Sequence, residues 1–199
     1  MTPAGSLYIK LPISEVGRLT TIFNAGMGIV THAGIPLMAL LCDQLGIDRD
    51  YVEHRIQTIF VNGRAVDNEN KVILSANAVV ALSAAMPGLV GATFRKHGLL
   101  ASFRKDISHT ASEAVQIDRR TTTITLKLFN LVAKELGADI LRQQVLVKGH
   151  LLRDLVIALY APKGLDEGTI VWDGKVFTKE EIQKFSWPDD WVALHVTYS

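Results

Sequence analysis

Hydrophobic and polar residues alternate along this chain with two different periods. A period of two predicts half-buried strands at Ser6–Ile13, Thr122–Leu128 and Trp191–Tyr198. A period near 3.6 predicts helices with one apolar stripe at Leu37–Leu45 and His150–Tyr160. Each of these segments is expected to turn its apolar side toward a core.

Tight turns connect several shorter strands. Asn62-Gly63 directly follows the predicted strand Thr58–Val61, and Asp173-Gly174 divides Thr169–Phe177, so both regions are expected to be hairpins. Val79–Leu82 is apolar on both faces and is predicted to be a central strand. Because strands and helices mix without strict alternation, the expected fold class is α+β, with a mixed or mainly antiparallel sheet and packed helices.

Other segments give weaker patterns. Gly26, Gly28 and Gly34 indicate a loop or a broken helix, and Thr31 stands where a dinucleotide-binding fingerprint needs its third glycine. Ser14 is expected to cap a helix that begins at Glu15. Asp48–Arg55 is predicted to be a polar helix and Val145–Val147 a strand. A further short helix is expected to be capped by Asn130 and ended by Gly137. Thr178-Lys179-Glu180-Glu181 has the spacing of a capping box.

A polar connection divides the chain into two expected lobes. Ser108–Arg120 is rich in charged and polar residues, and both flanks have their own apolar sets. We therefore expect an N-terminal α+β lobe over residues 1–112 and a C-terminal α+β lobe over residues 113–199.

Composition restricts the class of protein. The chain has 199 residues, of which 48% are hydrophobic and 21% charged, so disorder is not expected. The mean hydropathy of +0.22 is consistent with buried oligomer contacts, with an apolar ligand pocket or with ordinary large cores. Together with two long uncharged runs, it leads us to expect a homo-oligomer. Cys42 is the single cysteine, which excludes an intramolecular disulfide and favours a cytoplasmic location.

Two uncharged runs are long enough to span a bilayer. Leu19–Cys42 and Val72–Phe94 both exceed the roughly 20 residues that a membrane helix needs. Glycine, proline and asparagine interrupt both runs, so we expect no membrane segment. The N-terminus also lacks the basic and apolar regions of a secretory signal.

Charge is unevenly distributed although the net charge is only +1. Residues 1–90 carry six basic and seven acidic groups. Residues 91–153 carry eleven basic and five acidic groups, and residues 154–199 carry four basic and eight acidic groups. Either the basic middle packs near the acidic tail, or it forms a face that binds anions.

The candidate ligand site lies in the stretch Val72–His109, around which the chain is organised. Glycines at the end of a central strand let backbone N–H groups approach an anion, and nearby cations add attraction. The expected ligand-binding residues are Gly88, Gly91, Arg95, Lys96 and Arg104. The alternative is a structural turn followed by a solvated basic surface.

Catalytic and metal-binding signatures are absent from the sequence. His97 and His109 flank the basic pairs and are the only candidates for acid–base catalysis. Cys42 has no evident base beside it in the sequence. The six histidines form neither an HExxH motif nor an i, i+4 pair, so neither a metal site nor a cofactor is predicted.

One short region is similar to the RNA-binding S4 module. The similarity rests on Val61-Asn62-Gly63, Val66, Val72 and the strand Val79–Leu82. The preceding helix of such a module is basic, whereas residues 48–55 here are mixed in charge, and Ala76-Asn77 replaces its Gly-Asp. We therefore expect no nucleic-acid partner.

Three functions are consistent with these patterns. The first is binding of a small molecule or anion near Gly88–Lys96, without catalysis. The second is an enzyme acting on a small phosphorylated or carboxylated substrate. The third is a structural subunit whose apolar surface is covered by a partner.

Overall fold

The computed structural model describes residues 2–84, 120–160 and 170–199. The chain divides into two compact units, Met1–Gly28 with Gly137–Ser199, and Ile29–Leu136. Both units contain helices and strands, and strand pairing within each is partly parallel and partly antiparallel. The predicted α+β class with a mixed sheet is confirmed.

The regular elements are as follows. The strands are β1 Ser6–Leu11, β2 Met27–His32, β3 Thr58–Val61, β4 Arg64–Ala65, β5 Val79–Ser83, β6 Thr121–Phe129, β7 Val145–Lys148, β8 Ile170–Trp172, β9 Lys175–Val176 and β10 Trp191–Tyr198. The α-helices are α1 Thr20–Ala25, α2 Asn130–Arg142, α3 Gly149–Leu159 and α4 Lys179–Lys184. Short 3-10 helices cover Ile13–Leu19 and Glu69–Lys71, and π-helical segments cover Ala39–Gln44 and Tyr51–Arg55.

The unit that contains both chain ends is built on the strand order β7-β10-β1-β8-β9. β1 is parallel to β10, and the other neighbours are antiparallel. Its helix α3 packs against β7 and follows the predicted apolar stripe. The core side chains from β1, β10 and α3 are Leu7, Ile9, Leu11, Val192, Leu194, Val196, Leu152, Val156 and Leu159.

The unit Ile29–Leu136 is built on the strand order β4-β3-β5-β6. β5 lies between β3, to which it is antiparallel, and β6, to which it is parallel, so the predicted central strand is confirmed. One face of these strands is buried, because Ile59, Val80, Leu82, Leu126 and Leu128 are almost fully inaccessible. The opposite face is half-buried at Ala81, Lys127 and Phe129.

The predicted loop at the first glycines is wrong, because the chain forms strand β2 there. Gly26 has a φ of 117° and Gly34 a φ of 82°, so these two glycines supply left-handed turns on either side of the strand. Gly28 pairs with Leu146 of β7 inside the sheet. The glycines therefore bound and accommodate a strand whose first half, Met27 to Ile29, is buried.

Two helix boundaries also differ from the prediction. Gly137 lies inside α2 and does not end it, and a Cβ at this position would lie 2.5 Å from Cζ of Phe23. The glycine thus permits close packing of the helix. The helix after β1 begins at Ile13 behind Pro12, whose φ of −61° suits a helix start, and no side chain caps it.

The two predicted hairpin turns and the predicted capping box are confirmed, whereas the predicted cap at Ser14 is not. Asn62 and Gly63 have φ values of 51° and 78°, and Asp173 and Gly174 have 44° and 82°, as two-residue hairpin turns require. The Thr178 side chain accepts a hydrogen bond from the backbone N–H of Glu181 and completes a reciprocal capping box. None of the helices in the described residues is long and apolar enough to cross a membrane.

The predicted lobe boundary between residues 112 and 113 lies outside the described residues and stays a prediction. The expected homo-oligomer also stays a prediction.

Candidate functional site

The ligand-binding residues predicted from the sequence all lie outside the described residues. This applies equally to the two histidines proposed for acid–base catalysis. The residues are Gly88, Gly91, Arg95, Lys96, Arg104, His97 and His109. The described structure ends one residue after β5, at Ala84, and therefore includes the edge from which this segment leaves the sheet.

That edge is formed by the ends of three neighbouring strands. Since β5 and β6 are parallel, they end on the same side, with Ser83 opposite Phe129. The antiparallel strand β3 begins there, with Thr58 opposite Ser83. We call the end of the sheet formed by Thr58, Ser83, Phe129 and the following Asn130 the carboxyl edge.

Polar groups are concentrated at the carboxyl edge although much of it is buried. Thr58 is 1% exposed and Ser83 6% exposed. The Asn130 side chain donates a hydrogen bond from Nδ2 to Ser83 Oγ at 3.3 Å. Asn130 has a φ of 53°, which asparagine tolerates well, and this lets α2 start directly where β6 stops.

The Thr58 hydroxyl has no hydrogen-bond partner within the described parts of the chain, although its oxygen is buried. A buried hydroxyl without a partner costs about 1–3 kcal/mol in desolvation. Residues directly opposite on antiparallel strands point their side chains to the same face. The Thr58 side chain therefore lies on the Ser83 side of the sheet, next to the group that Asn130 contacts.

Helix α2 brings its N-terminus to the carboxyl edge. It has 13 residues and begins at Asn130. The first turn of a helix presents backbone N–H groups without intrahelical partners, and its dipole gives that end a partial positive charge. An anion near Ser83 would therefore be stabilised by the end of this helix.

Lys127 adds a full positive charge on the same face. It lies opposite Ala81, two residues before Phe129, and its side chain is half-buried. Among the residues that the structure describes, no carboxylate forms an ion pair with Lys127. As far as the described residues are concerned, its ammonium group therefore remains available to a ligand on this face.

A hydrogen-bonded triad joins the two segments that flank the carboxyl edge. Tyr51 donates its hydroxyl to Glu135 Oε2 at 2.6 Å, and Arg55 Nε donates to the same oxygen at 3.1 Å. A second guanidinium nitrogen of Arg55 donates to Glu135 Oε1. Arg55 precedes Thr58 by three residues and Glu135 follows Asn130 by five, so the triad holds the starts of β3 and α2 together.

The triad shifts the ionisation of its members. Hydrogen bonds from Arg55 and then from Tyr51 lower the pKa of Glu135 to about 2. Partial burial, followed by the hydrogen bond to Glu135, raises the pKa of Tyr51. The hydrogen bond to Glu135 raises the pKa of Arg55. At neutral pH the triad is therefore a stable carboxylate–guanidinium pair with a neutral phenol.

The triad also lines an open concavity of about 590 Å³, together with Asp48, Asp50 and His54. Asp48 Oδ1 accepts hydrogen bonds from the backbone N–H groups of Asp50 and Tyr51, and the Asp50 carboxylate contacts the His54 ring at 2.9 Å. These polar groups satisfy each other, which indicates a structural role for the concavity.

Two other chemistries receive no support from the described residues. Burial raises the pKa of the Cys42 thiol, which disfavours the thiolate that a nucleophile needs. Within residues 2–84, 120–160 and 170–199, no group of three histidine, cysteine or acidic side chains could hold a metal ion.

Sequence reasoning predicted the elements of the carboxyl edge but not its polar groups. Thr58 was the first residue of a predicted strand, Asn130 a predicted cap, and Lys127 an outward residue of an alternating strand. The missing information was the register, which sets Thr58 opposite Ser83 and brings Ser83 to Asn130. The alternating strand pattern was the one signal in the sequence that could have pointed to Lys127.

Comparisons with known proteins give no further guidance, since no family model matches the chain and neither a curated protein nor a solved structure resembles it significantly.

Proposed function

We propose that this protein binds a small anionic ligand at the carboxyl edge. The observation that carries the proposal is the arrangement of β5, a central strand that ends beside its parallel neighbour β6 at an edge with buried hydroxyl groups and a helix N-terminus. Ligands favour the carboxyl ends of parallel strands, because the loops there offer backbone donors on a rigid base.

The sequence that follows this edge has the composition that such a site needs. Gly88 and Gly91 would let the backbone come close to an anion. Arg95 would clamp it with two parallel hydrogen bonds, and Lys96 and Arg104 would add positive charge. The surplus of basic groups over residues 91–153 supports the same function.

A binding function without catalysis is preferred over an enzyme. The enzyme alternative depends on His97 and His109 alone, since the described residues bring no carboxylate, histidine or cysteine to the carboxyl edge. Thr58, Ser83 and Asn130 are neutral hydrogen-bonding groups, which suit recognition of a charged ligand better than transfer of its protons.

The test is a comparison of anion binding by the wild-type protein and Arg95→Ala. Phosphate, sulfate and nucleotides should raise the melting temperature of the wild type, since a ligand at a hundredfold excess over its Kd stabilises by about 2.7 kcal/mol. Arg95→Ala should melt at the wild-type temperature without ligand and respond less to the same anions. Arg153→Ala, an exposed arginine on α3, is the matched control and should respond like the wild type.

The proposal is wrong if none of these anions changes the melting temperature of the wild-type protein at millimolar concentration.

A further inference from the structure

We infer that Thr58, Ser83, Lys127 and the first turn of α2 form a subsite for the phosphate group of a small molecule. This inference rests on the proposed function and names the class of ligand. It starts from the buried Thr58 hydroxyl, which has no partner among the described residues. Thr58 lies opposite Ser83, and Ser83 accepts a hydrogen bond from Asn130, the first residue of α2.

The donors approach from three neighbouring strands. Thr58 belongs to β3, Ser83 to β5 and Lys127 to β6, and α2 follows β6 directly. Neighbouring strands are about 4.8 Å apart, so these groups are spread over roughly 10 Å of the sheet. A ligand that contacts several groups of this row must accept hydrogen bonds in more than one direction.

A phosphate group fits this distribution better than a carboxylate. Its three terminal oxygens are tetrahedrally arranged and each accepts strong hydrogen bonds. A carboxylate has two oxygens close together in one plane, which the parallel N–H groups of a single arginine satisfy. Hydroxyl groups, a helix N-terminus and one lysine together match the tetrahedral anion.

The charge balance of the subsite also favours a phosphate. Lys127 has no ion-pair partner among the described residues, whereas the nearest acidic residue of α2, Glu135, is already neutralised by Arg55. Within the described part of the chain, the ligand would therefore meet the positive charge of Lys127 and the positive end of a helix. No unpaired carboxylate of β3, β5 or β6 opposes it, because these strands contain none.

The experiment measures inorganic phosphate binding by titration calorimetry for the wild type and two variants. Thr58→Val removes the hydroxyl and keeps the shape, and it should weaken phosphate binding about tenfold, as expected for one hydrogen bond to a charged group. Lys127→Gln should weaken it several-fold, and more at low than at high salt. Thr58→Ser, which keeps a hydroxyl, should bind nearly as well as the wild type.

Matched controls come from the same strand and helix. Thr125→Val changes a half-buried threonine of β6 that lies opposite Val79, further from the edge, and should leave binding unchanged. Lys134→Gln removes an exposed charge of α2, which solvent and salt screen, and it should leave phosphate binding nearly unchanged. Circular dichroism of every variant shows whether the fold is retained.

Titration with glycerol phosphate and with acetate distinguishes the sources of the anion. Tighter binding of glycerol phosphate than of inorganic phosphate supports a phosphate monoester as ligand, and the reverse order supports the free ion. Acetate binding as tight as phosphate binding would overturn the phosphate assignment.

Failure of the subsite and failure of the proposed function give different results. If the wild type binds phosphate and Arg95→Ala weakens it while Thr58→Val and Lys127→Gln do not, the subsite is wrong and the anion-binding function stands. If the wild type binds no anion, both are wrong.

Discussion

The described residues of each unit include a pair of parallel strands, β1 with β10 and β5 with β6, and these two pairs end very differently. On β1 and β10, Tyr8 stacks on His195 with ring centroids 4.3 Å apart, and the pair ends at Leu11 and Tyr198. The chain then continues from β1 through Pro12, which has no N–H to donate. On β5 and β6, the pair ends at Ser83 and Phe129, followed directly by the 13-residue helix α2.

Both ends contain a buried hydroxyl without a partner among the described residues, namely Tyr198 Oη and Thr58 Oγ1. The Tyr198 ring lies under the guanidinium of Arg142, 5.3 Å from its centroid, and burial raises the pKa of Tyr198 to about 12. Of these two groups, the Thr58 hydroxyl belongs to a residue that lies opposite Ser83, which in turn accepts a hydrogen bond from the first residue of α2. An unpaired polar atom therefore indicates a site only where other donors converge with it.

The largest expected effect is a loss of stability caused by a substitution in the unit that contains both chain ends. A Cβ at Gly149 would lie 1.9 Å from the backbone oxygen of Pro188, which cannot move aside as a flexible side chain would. Gly149→Ala should therefore lower the free energy of unfolding by about 3 kcal/mol, at the upper end of overpacking effects. Urea denaturation followed by circular dichroism measures this change.

Gly17→Ala is the matched control, because a Cβ there meets no atom within 4 Å. It should change the free energy of unfolding by much less than Gly149→Ala. Equal effects of the two substitutions would show that the close contact with Pro188 does not limit this position.

A smaller effect concerns the two unpaired hydroxyl groups. Tyr198→Phe removes a buried hydroxyl that has no described partner, and it should raise the free energy of unfolding by about 1 kcal/mol. Phosphate affinity should stay at the wild-type value, in contrast to Thr58→Val. A loss of phosphate binding in Tyr198→Phe would contradict the distinction drawn between the two strand ends.

The smallest expected effect is the pH dependence due to the triad. The folded-state pKa of Glu135 is depressed to about 2 from an ordinary value of 4.5. The stabilisation is therefore complete above pH 4.5 and is lost as the pH falls toward 2. The difference in unfolding free energy between wild type and Glu135→Gln should shrink over this window, and the effect is small because the pair is partly exposed.

Denaturation curves at a series of pH values measure this difference. Arg55→Lys keeps the charge but loses the two parallel hydrogen bonds, so it should reproduce part of the loss seen in Glu135→Gln. If the difference in unfolding free energy stays constant from pH 6 to pH 2, the partners of Glu135 do not lower its pKa in the folded state.

Most of the fold was predictable because its strands and turns depend on local pattern. The alternation in β6 and β10, the turn at Asn62-Gly63 and the capping box at Thr178 all follow from nearby residues. The prediction was wrong where a glycine makes room for a side chain that is distant in the sequence. Gly137 continues α2 because Phe23 needs the space of its missing side chain, and no local pattern contains that information.

The candidate site was predictable only in part, since it depends on register. The end of the central strand was expected to lead into the ligand-binding segment, and that segment stays a prediction. Strand pairing, which the sequence alone does not reveal, sets Thr58 opposite Ser83 and aligns β6 so that Asn130 reaches it.

The central claim is that a phosphate group binds at the carboxyl edge, and a nuclear magnetic resonance titration tests it most directly. Inorganic phosphate should shift the backbone amide signals of Ser83, Asn130 and Leu131 in a saturable manner, and these shifts should disappear in Thr58→Val. Signals near Tyr8 and His195 should not move. Unchanged amide signals at Ser83, Asn130 and Leu131 at saturating phosphate would contradict the account.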